Sequence, residues 1–323
     1  MPEMSFREAL RATLREELLA DERVVLMGED IGAYGGSYAV TKGFLEEFGP
    51  ERIRDTPISE SVVVGCGIGA AMGGLRPIVE LMTINFSLLA FDQIVNNAAK
   101  ILYMSGGQIN VPMVIRMASG AGSQLSSQHS QSLEGWYAHI PGIKVAVPYT
   151  PHDARGLLHT ACRDQNPVIF IEHTALYSRK GAVPERDFAL PFGQAEVYRE
   201  GRDVTLIGYS GSVYQANAAA DLLAEHGHQA EVLNLRTLRP LDVESIVTSV
   251  RKTHRVVVVE DDWKFGGFAG EISAIIMEEA FDDLDAPVAR VCGADVPIPY
   301  AKELEQAALP SARQIADAAL ELI

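Results

Sequence analysis

Short apolar runs alternate with amphipathic stretches along the chain, and this alternation predicts strands separated by helices. The first helix is expected to open at Ser5, because Glu8 completes a capping-box pattern with it. The elements predicted in the first half are strands Val24–Met27, Ile78–Leu81, Val111–Met117, Ile143–Val147 and Val168–Ile171, and helices Ser61–Met72, Ala90–Tyr103 and His152–Cys162. Continuous apolar strands joined through helices indicate a parallel sheet covered on both faces.

The pattern breaks between residues 178 and 201, where glycines and prolines mark a connecting segment, and then resumes. The elements predicted beyond the break are strands Val204–Ile207, Glu231–Leu235, Arg255–Val259 and Val288–Val291, and helices Val213–His226, Val243–Val250, Ala269–Phe281 and Ala312–Leu322. We therefore predict an α/β fold of two doubly wound domains, at residues 1–180 and 201–323, joined by a linker at 181–200.

Composition narrows the function classes. The 323 residues are 47% apolar, which is ample for packed cores, and they carry a net charge of −16. A nucleic-acid partner is not expected, because phosphate would repel this charge. A membrane partner is not expected either, since no apolar run reaches the roughly 18 residues of a membrane span. With no targeting pattern and three widely spaced cysteines, we expect a cytoplasmic protein.

General catalytic motifs are missing from the sequence. Residues 65–70, Gly-Cys-Gly-Ile-Gly-Ala, loosely fit a dinucleotide-binding loop, but no apolar strand precedes them. Gly65, Gly69 and Gly73 recur every four residues, which on a helix predicts a smooth stripe that another backbone can approach closely. The sequence holds no Walker loop, no serine-hydrolase elbow and no His-Glu-x-x-His zinc motif.

Eight short segments together carry a resemblance to a known family. They are Gly28–Asp30, Asp55–Ser61, Glu80–Phe86, Ala90–Ile94, Ser127–Gln131, His139–Val145, Arg163–Pro167 and Leu235–Asp242. In order and spacing they resemble the beta subunit of the thiamine-diphosphate-dependent component of 2-oxo acid dehydrogenase complexes, pyruvate dehydrogenase type. The resemblance covers nearly the whole chain. It implies a transketolase-like pyrimidine-binding domain followed by a transketolase C-terminal-like domain.

The resemblance also implies catalytic and cofactor-binding residues. Glu60 matches the carboxylate that hydrogen-bonds N1′ of the cofactor's aminopyrimidine, and His129 matches a histidine that stabilises an oxyanion or assists acyl transfer to lipoamide. Ile58, Met82 and Phe86 match contacts of the pyrimidine ring. In an alternative interpretation, Glu60 is a carboxylate at the start of a helix that Ser59 caps. Ile58, Met82 and Phe86 are then ordinary core residues.

A structural potassium ion is a further implication of the resemblance. Its ligands, which act mostly through backbone carbonyls, match Met113, Ala161, Cys162, Asp164 and Asn166. Asp164 has an alternative role as the residue that ends a helix before Pro167.

One missing motif bears on the architecture. Proteins of this class hold the diphosphate and its Mg²⁺ through a Gly-Asp-Gly segment, which this sequence lacks; Asn96-Asn97 is not that motif. The resemblance therefore implies an alpha subunit that holds the diphosphate and Mg²⁺ in an alpha2-beta2 heterotetramer. The lipoyl acyltransferase core of the complex is the other implied partner.

The implied reaction is oxidative decarboxylation of pyruvate with reductive acetylation of lipoamide. Met82 and Phe86 favour pyruvate over branched-chain substrates, for which glutamine and tyrosine are common at these positions. The alternatives are a branched-chain 2-oxo acid or acetoin dehydrogenase beta subunit and a non-catalytic scaffold subunit. A self-sufficient transketolase-like enzyme is disfavoured because the diphosphate motif is missing.

Overall fold

The computed structural model describes residues 2–184 and 188–323, and these form two compact units. The first unit contains the described residues up to Ser119 and those from Trp136 to Phe192. The second contains Gly120–Gly135 and Gly193–Ile323, so it takes up a segment that lies inside the predicted domain 1–180. Residues 185–187 of the predicted linker lie outside the described residues.

The first unit is built on a parallel sheet. Its strands are β1 (Glu3–Ser5), β2 (Val24–Gly28), β3 (Ile53–Asp55), β4 (Arg76–Leu81), β5 (Val114–Ser119), β6 (Lys144–Ala146), β7 (Val168–His173) and β8 (Lys180–Ala182). Six of them lie in the order β6-β7-β5-β4-β2-β3, with every neighbouring pair parallel. The chain thus runs outward from β2 in both directions, and β1 and β8 form a separate antiparallel pair.

The helices in this part of the chain are α1 (Phe6–Ala20), α2 (Phe44–Phe48), α3 (Glu60–Met72), α4 (Ile101–Met104), α5 (Glu134–Ala138) and α6 (Pro151–Arg163). The first two residues of α5 are grouped with the second unit. The predicted capping box at the start of α1 is confirmed, since Ser5 Oγ accepts from the Glu8 backbone N–H and the Glu8 carboxylate accepts from the Ser5 backbone N–H. Leu10 and Leu14 of α1 are fully buried where this helix packs against α6.

The second unit holds a mixed five-stranded sheet. Its elements are β9 (Glu196–Arg199), β10 (Val204–Gly208), α7 (Gly211–Glu225), β11 (Ala230–Asn234), β12 (Thr237–Arg239), α8 (Val243–Thr253), β13 (Val256–Trp263), α9 (Phe268–Glu279), β14 (Ala289–Gly293), α10 (Lys302–Ala308) and α11 (Ala312–Leu320). The strand order is β14-β13-β10-β11-β9, parallel except for the edge strand β9. Both units therefore show the predicted doubly wound α/β fold.

The helix predicted over Ala90–Tyr103 is wrong as a single element. A 3₁₀ turn over Phe86–Ala90 precedes a π-helical stretch over Gln93–Ala98 and the short α4. The loop carrying Gly142 approaches so closely that a Cβ on this glycine would lie 2.0 Å from the Ala99 carbonyl oxygen. Lys100 Nζ also donates to the Pro141 carbonyl oxygen at 2.8 Å. These contacts explain why the regular helix is interrupted near Ala99.

Close approach to α3 occurs at a glycine outside the predicted stripe. A Cβ on Gly67 would lie 2.7 Å from Val79 Cγ2, so this glycine lets α3 pack tightly on β4. At Gly69 no atom of the described residues lies within 4 Å of such a Cβ, and at Gly65 the nearest is the Gln93 side chain at 3.4 Å. Among the described residues, the stripe on Gly65, Gly69 and Gly73 therefore meets no backbone closely apart from that of its own helix, at Gly73.

No helix in residues 2–184 or 188–323 is long and apolar enough to cross a membrane.

Candidate active site

Four of the predicted site residues follow the carboxyl ends of β3 and β4, the two strands that flank β2. Gly28 at the end of β2 pairs with Glu80 of β4 on one side and with Asp55 of β3 on the other. Ligands of doubly wound sheets bind at this edge, where the helix-bearing loops converge. Ile58, Glu60, Met82 and Phe86 all lie within five residues of the end of β3 or β4. The fold thus gathers these four at one edge of the first unit.

Glu60 is a buried carboxylate at the start of a helix. It is the first residue of α3, and it is 5% exposed. Among the described residues, Ser59 makes no side-chain capping bond to this helix, so the capping part of the alternative interpretation is wrong. The positive end of the helix dipole favours a negative charge at this position. Glu60 is therefore placed as a poorly hydrated carboxylate that can accept a hydrogen bond from a bound molecule.

Glu29 joins Glu60 at this edge, and sequence reasoning missed it as a site residue. It follows the last residue of β2, and the next residue, Asp30, has a φ of +53°. Burial raises the pKa of Glu29, and the neighbouring carboxylate of Glu60 raises it further. Two carboxyl groups thus share one weakly hydrated region. The signal in the sequence was an acidic pair directly after an apolar strand.

The residues matched to pyrimidine contacts differ in exposure. Ile58 is 83% exposed, whereas Met82 and Phe86 are half-buried. The turn that carries Phe86 is well fixed, because Asn85 Nδ2 donates to Thr83 Oγ1 at 2.7 Å, and because Ser87 Oγ shares a hydrogen bond with the Tyr137 hydroxyl. The 3₁₀ turn that begins at Phe86 packs against α3. Met82 and Phe86 therefore offer partly covered apolar surface close to the start of α3.

A buried charged network ties together the strands beneath this edge. Arg116 of β5 is 2% exposed and donates to the Glu80 carboxylate at 2.6 Å and to the Glu172 carboxylate at 2.7 and 2.9 Å. Tyr177 donates to the same Glu172 at 2.8 Å. Burial raises the pKa of Glu80 even though the Arg116 guanidinium opposes this. The bonds join β4, β5 and β7, with Glu80 two residues before Met82, and nothing in the sequence spacing pointed to them.

The residues matched to potassium ligands lie around the end of α6. The carbonyl oxygens of Cys162 and Asp164 accept hydrogen bonds from Arg76 Nη1 at 3.0 and 3.1 Å. Burial works to raise the pKa of the Asp164 carboxyl, but hydrogen bonds from Lys144 and from Asn166 outweigh it and hold the pKa below its usual range. The loop therefore directs oxygen atoms toward positive charge, and oxygen is the donor type that a hard cation takes.

The remaining two positions of this set, Met113 and Ala161, contribute carbonyl oxygens that also accept backbone N–H bonds, from Val168 and Asp164. Within the described residues, no group of three or more His, Cys, Asp or Glu side chains is placed to hold a metal ion. Any ion bound here would therefore be held mostly by main-chain oxygens.

His129 lies in the segment 120–135, which is grouped with the second unit. It ends a 3₁₀ turn over Ser127–His129 and is exposed, while Ser130 and Ser132 beside it are buried. The polar loop predicted around this histidine is therefore present. His129 and Glu60 belong to different units.

Comparisons with known proteins identify the family. The profile "Transketolase, pyrimidine binding domain" matches residues 2–180, and "Transketolase, C-terminal domain" matches residues 193–315. The chain is 51% identical over 321 residues to the pyruvate dehydrogenase E1 component subunit beta-2, mitochondrial, of Oryza sativa subsp. japonica, covering 98% of this chain and 85% of that protein.

A bacterial relative is similar over nearly its full length. The pyruvate dehydrogenase E1 component subunit beta of Rickettsia felis is 49% identical over 316 residues, covering 98% of this chain and 97% of the relative. A solved structure titled "Split gene transketolase, inactive beta4 tetramer" has the same fold, with a TM-score of 0.79 at 24% identity over 99% of this chain and 98% of that one. The chain belongs to the family of pyruvate dehydrogenase E1 component beta subunits, with transketolase pyrimidine-binding and C-terminal domains.

Proposed function

We propose that this chain is the beta subunit of a thiamine-diphosphate-dependent enzyme that oxidatively decarboxylates pyruvate and transfers the acetyl group to lipoamide. The observation that carries the proposal is Glu60, a buried carboxylate at the carboxyl edge of a parallel sheet, beside the half-buried Met82 and Phe86. The curated relatives at about half identity bear the name of this subunit.

The residues present fit the aminopyrimidine end of thiamine diphosphate. This ring needs a carboxylate acceptor for one ring nitrogen and apolar surface for its faces; Glu60 supplies the first, and Ile58, Met82 and Phe86 supply the second. When bound, the cofactor supplies the electron sink that lets carbon dioxide leave a 2-oxo acid. Glu60 would hold the ring nitrogen and keep a proton there. His129 would donate to a developing oxyanion or assist acyl transfer.

The diphosphate end belongs to a second polypeptide in this proposal. The sequence lacks the Gly-Asp-Gly segment, so an alpha subunit would hold the diphosphate and Mg²⁺ within an alpha2-beta2 heterotetramer. The glycine stripe at Gly65, Gly69 and Gly73, of which the last two positions are exposed, is a candidate packing surface in that assembly. The lipoyl acyltransferase core would receive the acetyl group.

We also propose a structural potassium ion at Met113, Ala161, Cys162, Asp164 and Asn166. The support is the run of main-chain oxygens at the end of α6 and the carboxylate of Asp164. The proposal predicts a higher melting temperature of the purified chain in KCl than in LiCl at equal concentration. Equal melting temperatures in the two salts would contradict it.

Reconstitution tests the shared active site. Decarboxylation is measured with an artificial electron acceptor for this chain, for its alpha partner and for the mixture, each with thiamine diphosphate and Mg²⁺. Pyruvate, 3-methyl-2-oxobutanoate and acetoin are compared as substrates. We expect activity only in the mixture and highest with pyruvate. Activity of this chain alone would contradict the split site, and a preference for another substrate would move the assignment to that enzyme.

Glu60→Gln tests the catalytic carboxylate directly. The amide keeps the size of the side chain but holds no transferable proton, so we expect turnover of the assembled tetramer to fall about 100-fold or more. The matched control is Glu46→Gln, at an exposed glutamate on α2, which should leave turnover unchanged. Normal turnover of an intact Glu60→Gln tetramer would favour the scaffold alternative.

A further inference from the structure

The segment that carries His129 has an unusual backbone. Gly120, Gly122, Gln124 and Ser126 all have positive φ, at 88°, 102°, 55° and 67°. Two of the four are not glycine, and such residues adopt the left-handed region only when their surroundings hold them there. The path of the chain just before His129 therefore depends on contacts outside the segment's own local preferences.

Glu305 supplies those contacts. This residue of α10 is 1% exposed, although the residues on either side of it are exposed. Its carboxylate accepts hydrogen bonds from the backbone N–H of Gly122 at 3.0 Å and from that of Gln124 at 3.1 Å to each oxygen. Because both donors are main-chain groups, Glu305 fixes the backbone of the segment, and this does not depend on which side chains the segment carries.

Apolar packing also holds the segment 120–126. Ala121, between Gly120 and Gly122, is 4% exposed and packs against Ile298 and Ala308, with Leu309 beside them. Ala308 is on the same short helix as Glu305. Helix α10 thus holds the segment through the buried carboxylate of Glu305 and through Ala308 of this small apolar cluster, five to eight residues before His129.

The negative charge of Glu305 strengthens its hydrogen bonds to the segment. Hydrogen bonds from N–H groups to a carboxylate are shorter and about twice as strong as neutral ones. Backbone N–H groups of turns can converge on an anion, and here the N–H groups of Gly122 and Gln124 converge on a carboxylate of the protein itself. A glutamine at 305 would turn an NH₂ group toward at least one of these donors, so one hydrogen bond would be lost.

We infer that Glu305 is a positioning residue for His129: it holds the 120–126 backbone in the conformation that places the histidine for catalysis. The inference rests on the proposed role of His129 in the pyruvate reaction. Glu305 itself does not touch the reacting atoms. It acts through the loop, so removing it should matter only while His129 is present.

A double-mutant cycle on the reconstituted tetramer tests this dependence. Glu305→Gln should lower kcat about tenfold, since small misplacements of a catalytic group are costly, with tetramer yield and the KM for thiamine diphosphate unchanged. In the His129→Ala background the same substitution should change kcat less than about twofold, because the group it positions is already gone. Glu303→Gln, at an exposed glutamate on the same helix, is the matched control.

Gly122→Ala gives a second route to the same loop. A Cβ there meets no atom of the described residues within 4 Å, so the variant acts through its φ of 102° alone. It should reproduce the Glu305→Gln loss and likewise have little effect once His129 is alanine. Equal fold losses in the two backgrounds, or a normal kcat for Glu305→Gln, would overturn the inference.

Hydrogen exchange separates this inference from the proposed function. In Glu305→Gln, amides of residues 120–128 should exchange faster than in the wild type, while those of β10 should not change. Unchanged exchange in 120–128 would overturn the inference whatever the activity. An inactive wild-type tetramer would refute the proposed function, and faster exchange in that case would still support the hold of Glu305 on the loop.

Discussion

At the scale of single residues, the second unit buries an acidic group, Glu260, whose hydrogen-bond donors among the described residues are all uncharged. Glu260 of β13 is fully buried; it accepts hydrogen bonds from the Ala269 backbone N–H at 3.0 Å, from the Tyr209 hydroxyl at 3.2 Å and from Cys292 Sγ at 3.7 Å. Burial raises its pKa from 4.5 to about 7, against these hydrogen bonds from the backbone and side chains. Burial likewise raises the pKa of nearby Asp262 to about 6.

This shift predicts a stability that declines with rising pH. Between pH 4.5 and 7 Glu260 is protonated in the folded chain and ionised in the unfolded chain. The folded state then binds more protons, so the free energy of unfolding falls as pH rises through this window, by up to about 3 kcal/mol from this group. Glu260→Gln does not titrate, so urea unfolding at several pH values should show a smaller fall for this variant.

The remaining fall in that variant should come from Asp262, whose pKa is raised in the same direction. Glu278→Gln, at an exposed glutamate on α9, should keep the wild-type dependence. Parallel pH dependences for the wild type and Glu260→Gln would show that Glu260 is not protonated in the folded chain.

Single residues also show how much of the candidate site could be predicted from the sequence alone. Glu60, Met82 and Phe86 were assigned because they belong to contiguous motifs, and the fold places them at one sheet edge. Glu305 could not be found in this way. Its partners Gly122 and Gln124 lie about 180 positions earlier, and one glutamate in a short helix carries no local signal that it will be buried.

At the scale of elements, α3 presents two glycines two residues apart with opposite surroundings. A Cβ on Gly67 would overlap Val79 and come within 3.1 Å of Met113 Cε, so Gly67→Ala should lower the free energy of unfolding by about 1–3 kcal/mol. Gly69→Ala adds its methyl group to open space and should raise this free energy by about 0.5–1 kcal/mol. Urea unfolding of the purified chain measures both.

The two variants should have the opposite order in their ability to form the heterotetramer. If the exposed stripe packs against another subunit, Gly69→Ala should weaken heterotetramer formation, as measured by analytical ultracentrifugation with the alpha partner. Gly67→Ala should assemble in proportion to its folded fraction. Full assembly by Gly69→Ala would exclude this part of the stripe from the interface.

The elements that were predicted well from the sequence are those whose core face is set by their own side chains. Helix α1 belongs here because its buried positions recur at the helical period, and strands β4, β7, β10 and β13 belong here because each contains a short apolar run that is buried almost without interruption. The segment 90–103 has an equally regular pattern. There the loop at Gly142 breaks the helix, and a contact made by a distant segment leaves no trace in the local period.

At the scale of the whole molecule, a net charge of −16 bears on the proposed docking to the acyltransferase core. If a basic binding module of that core recognises the acidic beta subunit, Coulomb attraction supplies part of the affinity and screening removes it. Affinity of the tetramer for the core should therefore fall several-fold between about 0.01 and 0.15 M ionic strength, over which the Debye length shortens from about 30 to 8 Å.

Isothermal titration calorimetry at a series of KCl concentrations measures this dependence of affinity on ionic strength, with sucrose at matched osmolarity as the control. An affinity that does not change with ionic strength would show that apolar contacts, and not the charge of this subunit, hold the core.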